Sequence, residues 1–115
     1  MFIYANYGLS QSVIRGTVAP DTHVLDRESL EPTMDIIGFK SMQVVVRADR
    51  IAETGVPGEM QRRFRLLPNQ VRTVAKLATS VEARLQKRFD VEWAYENGSL
   101  YLLEIREPGE YALTR

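Results

Sequence analysis

The chain has no cysteine, a single histidine and no net charge, with fifteen lysines and arginines balancing fifteen aspartates and glutamates among 115 residues. Each shortage removes a class of function. Without cysteine there is no disulfide framework and no thiolate metal site, a usage that fits a reducing compartment. With neither sign in excess, no global field recruits nucleic acid or an anionic membrane. There is no long apolar run, and the opening Met1-Phe2-Ile3-Tyr4-Ala5-Asn6 carries no basic leader. Neither a membrane span nor a signal peptide is therefore expected, and a cytoplasmic location is. Internal repeats, low-complexity runs and interdomain linkers are also missing. What remains, 44% hydrophobic and 26% charged, is the composition of an ordinary globular chain of one domain's length.

The first half alternates short β-prone runs with turn signals. Phe2 to Tyr7 is aromatic and strand-like, and a strand starting abruptly at Met1 suggests a truncated piece. Gly8 to Gly16 is bounded by glycines, with Leu9, Val13 and Ile14 placed for one or two helical turns. Its glycines would allow backbone to approach a ligand, or simply to turn. After the turn signal Ala19-Pro20-Asp21, a strand is expected over Thr22 to Asp26 and a turn over Arg27 to Leu30. The runs Met34 to Phe39 and Met42 to Ala48, separated by Lys40-Ser41, suggest a meander, extended by Arg50 to Val56 until Pro57-Gly58. Glu59 to Phe64 reads as a short helical turn.

One long helix opens at Pro68 and Asn69 and runs to about Arg88, with Val71, Val74, Ala75, Ala78, Val81 and Leu85 at helical spacing. Arg72, Lys76, Thr79, Gln86 and Lys87 fall on the other face, most simply a solvated one. The pattern as a whole predicts a single α+β domain over 1–115, a mostly antiparallel sheet covered by one long helix.

The last two strands carry the chemistry. Phe89 to Ala94 and Leu100 to Arg106 flank Asn97-Gly98 and place Asp90, Glu92, Glu104 and Arg106 at alternating positions. A two-residue turn at Asn97-Gly98 would pair Glu96 with Ser99 and Glu92 with Leu103, splitting the acids between faces. A three-residue loop, Glu96-Asn97-Gly98 with Gly98 left-handed, would pair Tyr95 with Ser99 and Asp90 with Glu104. That register gathers Val91, Trp93, Tyr95, Tyr101, Leu103 and Ile105 on one face and Asp90, Glu92, Glu104 and Arg106 on the other, so it is the one expected. Carboxylates facing one another on a hairpin repel unless a cation lies between them. Glu92 and Glu104 as oxygen ligands of magnesium, with Arg106 beside them for a phosphate, would resolve the conflict. A solvated strand face whose arginine pairs with the acids is the alternative.

The order of motifs resembles a known family. Gly8-Leu9, Ser12-Val13-Ile14 and Gly16 are followed by Val18, Pro20-Asp21, Ile37-Gly38, Lys40, Val56-Pro57 and Arg63-Phe64. A helix containing Glu82, then Asp90-Val91-Glu92-Trp93-Ala94 and Glu104-Ile105-Arg106, complete the series. Over nearly the whole chain this resembles the carboxy-terminal half of the ATP-grasp nucleotide-binding domain of phosphoenolpyruvate synthase, pyruvate phosphate dikinase and rifampicin phosphotransferase. The resemblance implies that Glu92 and Glu104 bind the metal, that Arg106 meets the phosphates as the catalytic arginine, and that Asp90 and Gln11 belong to the nucleotide site. ATP and Mg2+ are the implied ligands. The implied reaction passes a phosphoryl group from ATP to a histidine on a separate domain and thence to an acceptor.

Departures and absences shape that expectation. Ser10-Gln11 stands where the family has Gly-Glu, Glu104 replaces a glutamine, and Glu107 separates Arg106 from Pro108. The amino-terminal ATP-grasp half, with its lysine and Arg-Ser-Ser segment, and the phosphohistidine domain are not in this sequence, so activity by the chain alone is not expected. His23 sits at a strand position without a phosphohistidine motif and is read as a plain strand residue. A non-catalytic binding or assembly module retaining the subdomain fold is the other functional reading. An apolar edge left open by the missing half would favour self-association.

Overall fold

The computed structural model describes residues 1–8 and 19–108, which fall into two compact units, Met1–Val71 and the remainder from Arg72. In the first unit, β1 (Phe2–Ala5), β2 (Asp21–Leu25) and β3 (Pro32–Ile36) form one antiparallel sheet in the order β1-β2-β3. The register sets Ile3 opposite His23 and Ala5 opposite Asp21, and those four side chains are buried with Leu25. Alternation then sends Phe2, Tyr4, Met34 and Ile36 to the other face, where all are exposed. An aspartate-centred turn joins β2 to β3: the Asp26 carboxylate accepts the backbone N–H groups of Ser29 at 2.9 Å and Glu28 at 3.2 Å. The Ser29 hydrogen bond holds the Asp26 carboxyl below its usual range.

A second sheet pairs β4 (Met42–Arg47) with β5 (Arg50–Gly55). Its two-residue turn puts both Ala48 and Asp49 at positive φ, 48° and 63°, the backbone twist that suits a tight hairpin. The expected strands are present, but the meander is interrupted between β3 and β4. Instead of turning back, Gly38 and Lys40 dive into the interior to meet Asp21. The fully buried Lys40 Nζ lies 2.5 Å from Asp21 Oδ1 and donates also to the Gly38 carbonyl at 3.0 Å. Oδ1 accepts the Gly38 N–H at 2.9 Å, while Oδ2 accepts that of Arg65 at 2.7 Å. Two other segments of chain, at Gly38–Lys40 and at Arg65, thus converge on one carboxylate.

Two glycines are required by close approach. At Gly38 a Cβ would lie 2.0 Å from the Ala19 carbonyl oxygen. Gly8, at φ 74°, bridges to Val44, whose carbonyl oxygen would be 2.4 Å from an added Cβ. The backbone that Gly8 admits is therefore the chain's own. Ile3, Ala5, Leu25, Val44, Val56 and Leu66 are buried apolar residues of the same unit.

The helix α1 (Pro68–Leu85) begins at the end of the first unit and runs into the second. Proline at the first helical position has no N–H to leave unsatisfied, and Gln70 Oε1 reaches back to the Leu67 N–H at 2.7 Å. Val71, Val74, Ala75 and Val81 are buried, as the spacing requires, whereas Leu85 is exposed. The helix stops three residues short of the expected Arg88, because Gln86 adopts the left-handed conformation at φ 53°. A third sheet, β6 (Asp90–Glu96) paired with β7 (Ser99–Arg106), follows. The α+β class with antiparallel strands and one long helix is as expected, although the strands divide among three sheets rather than forming one. No helix of the described residues is long and apolar enough to cross a membrane.

Candidate functional site

The β6–β7 hairpin turns at Asn97-Gly98, with Glu96 opposite Ser99. Asn97 at φ 51° and Gly98 at φ 80° are the two left-handed residues of a turn whose twist matches the strands it joins. This corrects the expected three-residue loop: Tyr95 faces Leu100, and Asp90 faces Arg106. The tight turn alone would separate the acids. A bulge restores them, because the register shifts between Glu92 and Trp93, leaving Leu103 unpaired and Glu92 directly opposite Glu104. The four charged residues therefore share a face as anticipated, by a different device. Nearer the tip the face assignments change, since Leu102 rather than Tyr101 is the partner of Trp93. Trp93 and Tyr95 meet edge to face at 6.0 Å.

Arg106 sits between the two glutamates. Its Nη2 donates to Glu104 Oε2 at 2.6 Å and lies 3.6 Å from Glu92 Oε2. Glu92 is the most enclosed, with 17% of its side chain exposed against 27% for Arg106 and 48% for Glu104. The Arg106 hydrogen bond holds the Glu104 carboxyl below the usual glutamate range, and burial opposes the shift. At the hairpin's base Lys87 pairs with Glu107 at 2.8 Å, an exposed contact of little energetic weight. No cluster of three or more metal-ligating side chains occurs among the described residues. Two carboxylates on adjacent strands nevertheless fit magnesium, which typically takes one or two protein carboxylates and completes its shell with water and phosphate oxygens. Arg106 supplies planar N–H donors suited to those oxygens.

Of the residues singled out from sequence, Asp90, Glu92, Glu104 and Arg106 are brought together, and Gln11 lies outside the described residues. His23 is buried, its Nδ1 2.7 Å from Asp35 Oδ1 and its ring 5.2 Å from that of Phe64. Such a position suits a strand residue and offers no access to a phosphoryl donor. Missed altogether was the pairing of Asp21 with Lys40. Both occur in the motif order, but a separation of nineteen residues holds no periodic signal that would join them.

Residues 1–111 match the family described as pyruvate phosphate dikinase, AMP/ATP-binding domain. The chain is 34% identical over 109 residues to a probable phosphoenolpyruvate synthase of Methanocaldococcus jannaschii, covering 92% of this chain and 9% of that protein. It is 32% identical over 106 residues to the uncharacterized phosphotransferase YvkC of Bacillus subtilis, covering 92% of this chain and 13% of the relative. With the phosphoenolpyruvate synthase of Neisseria meningitidis the identity is 25% over 118 residues, or 92% of this chain and 15% of the other. The chain spans a small fraction of the length of these relatives.

Proposed function

The chain belongs to the pyruvate phosphate dikinase AMP/ATP-binding domain family, and from that premise we propose that it forms one wall of an ATP site, as the carboxy-terminal subdomain of an ATP-grasp domain. The observation that carries this reading is the Glu92–Arg106–Glu104 cluster, in which a guanidinium lies between two facing carboxylates on a partly open strand face. Glu92 and Glu104 would hold Mg2+, which neutralises phosphate charge when bound. Arg106 would turn from Glu104 toward the phosphates and orient the terminal phosphoryl group, the positioning and charge compensation on which phosphoryl transfer depends. Asp90, opposite Arg106, would keep the guanidinium in register. Gln11 is assigned to the nucleotide site by resemblance alone.

The other half of the cleft and the phosphohistidine domain would come from polypeptide corresponding to the rest of the longer relatives, in a cytoplasmic phosphoenolpyruvate synthase-like transfer from ATP through histidine to an acceptor. The exposed face of Phe2, Tyr4, Met34 and Ile36 fits a chain that docks against such a partner or against itself. A second reading, a binding or assembly module without turnover, is favoured by one detail: Arg106 already commits a short hydrogen bond to Glu104, where the family has an uncharged glutamine.

Calorimetry with magnesium-ATP, on the chain alone and mixed with the complementary half, separates the two. The enzymatic reading expects heat that Glu92→Ala and Arg106→Ala abolish while both variants remain folded. Equal heat from the variants would sink the site assignment. No heat in either mixture leaves the module reading.

A further inference from the structure

Away from the hairpin, the loop that follows β5 carries three arginines and no acid from Met60 to Leu67. It is anchored at several points. Its backbone is tied to the buried carboxylate of Asp21 through the Arg65 N–H at 2.7 Å, and the Gln61 carbonyl accepts the Lys40 N–H at 2.9 Å. Gln61 Nε2 also donates to the Val56 carbonyl at 2.9 Å. The arginine side chains are oriented as well. Arg63 Nε donates to the Glu59 carbonyl at 2.9 Å, and the Arg65 guanidinium lies over the Tyr7 ring, 5.2 Å from its centroid. Tyr7 is fixed in turn by its hydroxyl, which donates to the Met60 carbonyl at 3.1 Å.

Tyr7, Met60, Arg63, Phe64 and Arg65 line an open depression of about 370 Å³, near the lower end of the roughly 300–1,000 Å³ typical of small-molecule sites. Neither Arg63 nor Arg65 is paired with a carboxylate among the described residues. Among the described residues no hydrogen bond engages the terminal N–H groups of either, and an oriented guanidinium fork matches a phosphate oxygen pair. We infer that this depression is a second anion site, which takes the phosphate of a small phosphorylated ligand between Arg63 and Arg65 and its less polar body against Phe64 and Met60. It shares no residue with the hairpin cluster and needs no metal, since the two guanidinium groups supply the compensating charge.

Titration calorimetry of the full chain with inorganic pyrophosphate in magnesium-free buffer tests it. Saturable binding at one site per chain is expected. Arg63→Ala and Arg65→Ala should each weaken it about tenfold, the usual loss for removing a hydrogen bond to a charged group, and Arg106→Ala and Arg47→Ala should leave it unchanged. Absence of saturable binding overturns the inference. So does a loss confined to Arg106→Ala, which would place the anion on the hairpin, or an equal loss in Arg47→Ala, which would make it an effect of bulk charge. Failure of magnesium-ATP binding at the hairpin leaves these outcomes unaffected.

Discussion

Two pairs of opposite charge in this chain show how burial decides what a pair is for. Asp21 and Lys40 are fully excluded from solvent, and every carboxylate oxygen is occupied by a lysine or a backbone N–H. Glu104 and Arg106 make an equally short contact, but Glu104 is half exposed and the Glu92 carboxylate stands beyond hydrogen-bond distance of Nη2 at 3.6 Å. The first pair has no room for a ligand, and breaking it strands a charge in a low-dielectric interior. In the second, water is available to replace any contact that a ligand displaces. Close geometry is common to both. Only the open one has the exposure that binding requires.

The sharpest way to break this contrast is at the buried pair. Lys40→Met should destabilise the first unit by about 3–5 kcal/mol, the cost of an unpaired buried charge, measured by urea unfolding. Adding Asp21→Asn should recover part of that loss. A single variant as stable as the wild type would mean that the pair is not a structural lock. Gly38→Ala attacks the same node by volume: the added Cβ would meet the backbone at Ala19 and Pro20, 2.0 and 2.4 Å away, for an expected loss of about 1–3 kcal/mol.

The hairpin should prove more forgiving. Gly98→Ala forces a side chain into φ 80° with no neighbour within 4 Å, so thermal unfolding should register only the conformational cost of about 1 kcal/mol. A much larger loss would show that the tip is packed after all. The smallest effect concerns pH. Because Arg106 lowers the Glu104 carboxyl in the folded chain, this contribution to stability is present above the ordinary glutamate pKa and is lost as pH falls through Glu104's own lower value. An NMR titration should place Glu104 below the ordinary range, and Arg106→Ala should raise it. An unmoved midpoint would remove the ion pair from the comparison.

Much of the fold was legible because its causes are local. Alternation marked the strands, Pro68 opened the helix by lacking an N–H, and Asn97-Gly98 announced a turn through residues that tolerate positive φ. The hairpin shows where locality ends. A uniform register forces a choice between a tight turn and a shared acidic face, whereas the folded strands obtain both by leaving Leu103 unpaired. Such a bulge has no composition of its own. The basic loop contributed Arg63-Phe64 to the motif order, but as a candidate site it gave no signal, since a stretch such as Arg62-Arg63-Phe64-Arg65 is compatible with any solvated turn. What distinguishes it is the ring beneath Arg65 and the carbonyl that orients Arg63.

The sequence by itself determined the elements, the carboxylates and arginine near the chain's end, and a motif order that matches a nucleotide-binding family, because these depend on spacing along the chain. Tertiary structure decided that Asp21 and Lys40 are partners, that Glu92 faces Glu104, and that two arginines border a depression. Those outcomes depend on which distant segments meet and how completely they exclude water, and burial sets the strength of a charge interaction more than the identity of the charges does.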